Sequence, residues 1–393
     1  MEIRMLDEHW RPAVMSLWDY CFEKKGDPFF EWYFERYCRL KQVIGATADE
    51  RLLAMAHLNP YQLILRSKVT PAAYFVGVAT TPEARGRGVF RPLLQGALSY
   101  LRAQGHGVAL LMPSAASFYR PYGFAFCYHQ WKINCPLAQL APLAKGAAEV
   151  SWRRGETEDW AAFASVYDRA MRSRNGFTHR EEKAWRSLLT ALYVEGGHAF
   201  IAVNQAGAPV AYLWFEISGE TLQVIEWLAD DLSLQRACLA FLQQHRSQAE
   251  QVVFMLPEDD LLYEQLPDSS YLLSLSPFMM GRIVDVEQAL QQCLPACCDE
   301  QNIDFTLSVH DSVAEWNNGC WRIAANGGSW RVERVRDKAA DVVFSVASLA
   351  QLCFGRFTTS QLAAKGEVSG RQDVLALLDR LLPVCHNYIN EYY

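Results

Sequence analysis

The stretch from Val76 to Phe124 constrains the fold more than any other part of the chain, because it fixes both an order of elements and the loop that joins them. Its apolar opening reads as a strand ending at Thr80. A turn around Pro82 leads into Arg85-Gly86-Arg87-Gly88, and a helix pattern starts at once, with apolar residues at Leu93, Leu94, Ala97, Leu98 and Leu101. Val108 to Met112 is a second apolar strand, followed by the turn Phe118-Tyr119-Arg120-Pro121-Tyr122-Gly123-Phe124. Strand, glycine loop and helix in this order form an anion site. Glycines let the backbone approach closely, and the first N–H groups of the helix point at the guest. Arg85 and Arg87 add charge-assisted contacts suited to a diphosphate, as in a nucleotide-like cofactor such as coenzyme A.

The loop is not a Walker loop, since no G-x-x-x-x-G-K-[ST] occurs, and it lacks the three glycines of the dinucleotide fingerprint. Taken alone, an arginine-glycine loop is equally a plain turn between strand and helix. Its setting between two strands, with F-Y-x-x-x-G-F after the second, resembles the GCN5-related N-acetyltransferases, the GNAT family. That family's R-x-x-G-x-G/A loop is matched by Arg85, Gly86, Arg87, Gly88, Val89 and Phe90, with Phe90 where the family has a small residue. The resemblance implies that the amides of this loop, with Arg91 beside them, hold the pyrophosphate of acetyl-CoA. It implies that Val78, Ala79 and Thr80 pair with the pantetheine arm, that Ser114 and Ala115 flank it, and that Tyr119 is the proton donor. Tyr122 is the nearest rival, and either ring can equally be an ordinary packed aromatic. A phenol, with an ordinary pKa of about 10, stays protonated at neutral pH and can give its proton to a departing thiolate.

A chain of 393 residues is too long for one ordinary core, and two or three domains are expected. Half the residues are apolar and the net charge is -7 with no long basic run, which argues against disorder and against nucleic acid as a partner. A mildly acidic protein suits a cationic small molecule. No apolar run reaches membrane-span length and Met1 to Arg4 opens no signal-like segment, so a soluble, cytoplasmic protein without membrane partners is expected. The 11 cysteines are scattered; Cys293, Cys297 and Cys298 cluster without a histidine at zinc-finger spacing, and no metal is expected.

Along the chain the expected organisation is α+β, with two tandem GNAT-like units of mixed sheets flanked by helices. The first covers residues 1–145 and closes with a strand from Gln130 to Cys135. The second, 146–277, repeats the order of elements, with Ser233 as a candidate helix cap. Where its phosphate loop should be stands Leu-Ala-Asp-Asp-Leu-Ser, which has two carboxylates and no glycine, so this copy is not expected to bind coenzyme A. The third unit, 278–393, alternates strands and helices, and its segment Leu352 to Gly370, LCFGRFTTSQLAAKGEVSG, resembles the sterol carrier protein fold. Phe344, Phe354 and Phe357 would close a lipid tunnel there.

Two GNAT units followed by a sterol-carrier-like unit resemble the Eis (enhanced intracellular survival) acetyltransferases. The resemblance implies transfer from acetyl-CoA to amines of small cationic substrates such as aminoglycosides, polyamines or lysine-like groups, and assembly as a homo-oligomer, trimer or hexamer. It also implies a base in the carboxylate of the final aromatic residue, here Tyr393, with a frayed tail as the alternative. Asp27, Phe29 and Trp32 are candidates for the substrate wall, or else a helix cap before Pro28 and two core residues. Glu216 and Glu226 are further candidates to face the cleft. Two other readings stand beside this one: a tRNA-dependent aminoacyltransferase, and a non-catalytic sensor of acyl-CoA or lipid.

Overall fold

The computed structural model describes residues 1–266, 272–296, 303–326, 329–336 and 339–392. The chain forms two compact units. One comprises 1–128, 175–179 and 278–393; the other comprises 129–174 and 180–277.

The first unit holds two sheets. The larger runs, in spatial order, Glu2–Met5, Val43–Ala48, Arg51–Leu65, Lys68–Thr80, Val108–Leu111, Met280–Ile283 and Ala125–Phe126, with Phe177–Thr178 added on Arg51–Leu65. The helix Phe90–Ala103 lies on this sheet by a face of Phe90, Leu93, Leu94, Ala97, Leu98 and Leu101, all buried, which is the expected helical spacing. The smaller sheet has the order Ser329–Val335, Gly319–Asn326, Ile303–His310, Val342–Ser345 and Val368–Gly370. Its core is continuous with that of the larger sheet: Leu63, Tyr74 and Val108 cluster with Phe305, Phe344, Leu352 and Phe354. Phe344 and Phe354 are buried and Phe357 is half-buried against the same cluster.

The second unit is one seven-stranded sheet, ordered Leu272–Pro277, His129–Pro136, Gln251–Pro257, Thr221–Ala229, Pro209–Ser218, His198–Val203 and Ser151–Arg154. Here the expected plan changes. The strand around Gln130–Cys135 does not close the first sheet; Ile133 faces Phe254, and Cys135 faces Val252, in the second. The place it was expected to fill is taken by Met280–Ile283, which pairs antiparallel with Val108–Leu111. The division therefore departs from boundaries at 145/146 and 277/278. A buried strand's own residues do not say which sheet it will join; long-range register decides that.

Candidate active site

The strand Lys68–Thr80 is interrupted by a bulge. Met55 faces Ala79 and His57 faces Val76, so Ala56 opposes two residues, Gly77 and Val78. Gly77 has a φ of 56°. A Cβ there would lie 2.4 Å from the Trp18 ring, so both conformation and space require glycine. On its other side the strand pairs in parallel with Val108–Leu111 only from Ala72 to Phe75. Beyond Phe75 the two strands part, and Val76 to Thr80 have a strand neighbour on one side only among the described residues. Val78 and Thr80 are half-buried and Ala79 is buried along this opening, while Ser114 and Ala115 are exposed just after the end of the neighbouring strand.

The loop beyond Thr80 has the expected shape. Gly86 and Gly88 take φ values of 70° and 72°. No atom lies within 4 Å of where their Cβ would stand, so the requirement here is conformational only. The N–H groups of Gly86, Gly88, Val89, Phe90 and Arg91 find no acceptor among the described residues. The Nε of Arg85 donates to the Thr80 carbonyl at 3.1 Å, which ties the loop to the strand end. The exposed Arg87 side chain makes no ion pair or hydrogen bond among the described residues, while its N–H closes a turn on the Ala84 carbonyl. Arg91 is anchored instead: its Nη1 donates to the Ser312 carbonyl at 2.6 Å. The Phe90 side chain turns away from the loop into an aromatic cluster, with ring centroids 4.7 Å from Phe118, 5.9 Å from Tyr119 and 4.8 Å from Tyr122.

Tyr119 ends the short helix Ala116–Tyr119 and is 7% exposed. Burial pushes its phenol up to about 12. Its hydroxyl makes no hydrogen bond among the described residues. Tyr122, its rival, is half-buried, and its ring is engaged by the Arg91 guanidinium at 5.7 Å.

The proposed substrate wall is partly corrected. Asp27 is exposed and caps the helix Pro28–Trp32, accepting from the Phe29 N–H at 2.8 Å. Phe29 is 2% exposed and stacks on Tyr33, so it belongs to the core. Trp32 is half-buried against Tyr37. What the sequence did not announce is a buried polar layer beneath them. A π turn over Tyr33–Tyr37, closed by the Cys38 N–H on the Tyr33 carbonyl, aims the Tyr33 hydroxyl at His57 Nδ1, 2.9 Å away. Burial pushes His57 down to about 3 and keeps it neutral. Tyr37 and Tyr61 are held above the usual phenol range by burial, with the negative charge of Glu391 adding to it.

Glu391 belongs to a tail that is docked, not frayed. The Asn175 N–H donates to the His386 carbonyl, the Tyr388 N–H to the Asn175 carbonyl, and Asn387 Nδ2 to the Cys127 carbonyl. Tyr388, Ile389, Asn390 and Glu391 are buried. The Tyr74 hydroxyl donates to the Tyr392 carbonyl. Tyr393, the candidate base, lies outside the described residues, as do Cys297 and Cys298.

In the second unit the carboxylates have local duties. Asp231, not Ser233, caps the helix Leu232–Gln243, and Asp230 pairs with Arg169. Glu226 is no cleft residue: it is buried, takes both Nη groups of Arg180 at 2.9 Å, and accepts from Tyr212. Arg180 in turn lies over the rings of Tyr167 and Trp185. Glu216 is half-buried on its strand.

Comparison with known proteins agrees with this geometry. Residues 2–127 match an acetyltransferase (GNAT) domain, residues 176–283 a second acetyltransferase (GNAT) domain, and residues 286–390 a sterol carrier protein domain. An uncharacterized N-acetyltransferase of Streptomyces avermitilis is 24% identical over 316 residues, covering 76% of this chain and 75% of that one. A GCN5-related N-acetyltransferase from Anabaena variabilis shares the fold over all of both chains, with a TM-score of 0.85 at 18% identity. Eis1 from Mycobacterium abscessus does so with a TM-score of 0.76 at 19% identity, again over the full length of both. The chain is an acyltransferase of the N-acetyltransferase class, with two GNAT domains and a C-terminal sterol-carrier-like domain, and its fold implies use of an acyl-CoA. Among the described residues no helix is long and apolar enough to cross a membrane, and no cluster of metal-ligating side chains occurs.

Proposed function

We propose that the chain moves an acetyl group from acetyl-CoA to the amine of a small cationic substrate of aminoglycoside, polyamine or lysine-like type. The observation that carries this reading is the set of N–H groups on Gly86, Gly88, Val89, Phe90 and Arg91, unpaired among the described residues, at the mouth of the parted strands. These groups, with Arg87, suit a diphosphate, and the open side of Val76–Thr80 suits an extended amide-bearing arm. Acetyl-CoA supplies a thioester-activated acetyl group. The residues supply proton traffic. As the nitrogen–carbon bond forms and the carbon–sulfur bond breaks, Tyr119 gives its proton to sulfur. The carboxylate of Tyr393 takes the proton that the substrate ammonium must lose. The acidic balance of the chain favours a cationic acceptor.

Calorimetry with acetyl-CoA, followed by thiol release against a panel of polyamines, aminoglycosides and lysine peptides, tests the reading. Micromolar binding and amine-dependent thiol release are expected. A folded protein that binds acetyl-CoA while no amine releases thiol overturns the transferase assignment in favour of a sensor.

A further inference from the structure

Arg282 sits in the strand Met280–Ile283 and is fully buried. Its Nε donates to the Tyr122 carbonyl at 2.8 Å. Its Nη1 donates to the Ile283 carbonyl, and its Nη2 reaches both carboxylate oxygens of Asp311, at 2.8 and 3.0 Å. Asp311 opens a loop of the sterol-carrier-like domain and is 2% exposed. Its carboxylate also accepts from the N–H groups of Val313 and Ala314 and from Asn317 Nδ2. Asn318 closes the backbone on either side, accepting from the Asp311 N–H and donating to its carbonyl. Every oxygen of the pair thus has a partner, which is the condition under which a buried charge pair holds one geometry.

The next residue in the loop faces outward and ties two catalytic elements together. The Ser312 carbonyl accepts from Arg91 in the first turn of the phosphate-loop helix. The Ser312 hydroxyl donates to the Pro121 carbonyl at 3.3 Å. Gly123, with a φ of 84°, lets the chain turn against this node; a Cβ there would stand 2.5 Å from Val346 and 3.4 Å from the Arg282 guanidinium. Ser312, on the loop that Asp311 organises, therefore ties the start of the Phe90–Ala103 helix to the turn that follows Tyr119.

We propose that Arg282 and Asp311 are positioning residues for acetyl transfer: through the Tyr122 carbonyl and the loop Asp311–Ala314 they hold the Tyr119 turn in register with the phosphate-loop helix. The C-terminal domain is then part of the catalytic apparatus whatever else it binds. The proposal rests on Tyr119 being the proton donor.

The test replaces the pair as a unit. Arg282→Met with Asp311→Leu removes both charges together, a change that buried pairs often tolerate with little loss of stability. Because the swap also removes the partners of the Val313 and Ala314 N–H groups, of Asn317 Nδ2 and of the Tyr122 carbonyl, a lower melting temperature is expected with the fold retained, together with kcat down at least about tenfold and a KM for acetyl-CoA within about twofold of the parent. In a double-mutant cycle with Tyr119→Phe the two losses should not multiply, since one acts through the other. A folded swap with parental kcat, or losses that multiply, overturns the proposal. Tyr119→Phe alone isolates the underlying reading: if it turns over normally, the acid assignment fails and the positioning role falls with it. Should the swap not fold, Arg282→Lys keeps the buried cation while losing the fork. It is expected to lower kcat with acetyl-CoA affinity intact, and parental kcat in that variant overturns the proposal equally.

Discussion

The phenol of Tyr74 donates to the Tyr392 carbonyl across 3.2 Å, which pins the end of the tail to the strand whose continuation past Phe75 is the opened slot. Tyr74 and Val76 are two residues apart, so the Tyr392 carbonyl is tied close to the start of that slot. A few residues added after Tyr393 would displace its carboxylate. Turnover should fall by about 100-fold or more, the usual contribution of a general base, while the Kd for acetyl-CoA by calorimetry stays unchanged. Full activity in the extended protein would remove Tyr393 from the mechanism.

Asn175 holds the same tail from the other side. Its Oδ1 accepts from the Arg66 N–H at 2.6 Å, and its Nδ2 donates to the Phe354 carbonyl at 2.9 Å and to Asn387 Oδ1 at 2.6 Å. Asn175→Ala would strand buried groups at a cost of about 2 kcal/mol. We expect a lower denaturation midpoint and a lower kcat with an unchanged KM for acetyl-CoA. A variant that loses stability yet keeps kcat would show that the tail docks without this residue.

Tyr119→Phe keeps the ring and its contacts with Phe90, Phe118 and Phe124 and removes only the hydroxyl that carries the proton. kcat should fall by about 10² to 10⁴, with melting temperature and acetyl-CoA affinity unaltered. Because burial raises the phenol to about 12, its acid form persists above the ordinary value of about 10, and the alkaline limb of kcat should lie beyond pH 10. An alkaline limb near pH 8 would point to another group as the proton donor.

Gly88→Ala meets no neighbouring atom, so its cost comes from a φ of 72° alone, about 1 kcal/mol. The backbone must rotate to relieve that strain, and the N–H groups of Val89 and Phe90 rotate with it. Acetyl-CoA should bind about tenfold more weakly, on the scale of one lost charge-assisted hydrogen bond. Gly207→Ala, with a φ of 79° and equally open space, is the control. It should cost similar stability and leave acetyl-CoA affinity alone; equal affinity losses in both would detach the loop from cofactor binding.

The loop was legible because its requirements are local. Positive φ at Gly86 and Gly88, the apolar face from Phe90 to Leu101, and the turn at Gly123 are each written in neighbouring residues. The strand His129–Pro136 was not, because alternating Ile133 and Cys135 fit either sheet and only the partner strand Gln251–Pro257 selects one. The Arg282–Asp311 pair joins residues 29 positions apart, and Arg66 reaches the Leu352 carbonyl across 286. No periodicity encodes such separations. Glu226 misled for the opposite reason: a lone carboxylate on a strand looks available until Arg180 is seen to occupy it.

His57 offers a stability test that needs no substrate. Its folded-state value of about 3 lies below the ordinary 6.5, because burial disfavours the imidazolium and Nε2 has no partner among the described residues. The unfolded chain therefore binds a proton that the folded chain refuses. The stability contributed is present above pH 6.5 and is lost as the pH falls towards 3. At pH 5 the loss amounts to about 2 kcal/mol relative to pH 7.5. Urea denaturation midpoints measured from pH 7.5 to 5 should fall accordingly. His57→Gln, which has no proton to gain, should flatten that slope even where it lowers the midpoint overall by disturbing Tyr33. An equally steep slope in the variant would place the acid sensitivity in other groups and leave His57 exchanging protons freely in the folded chain.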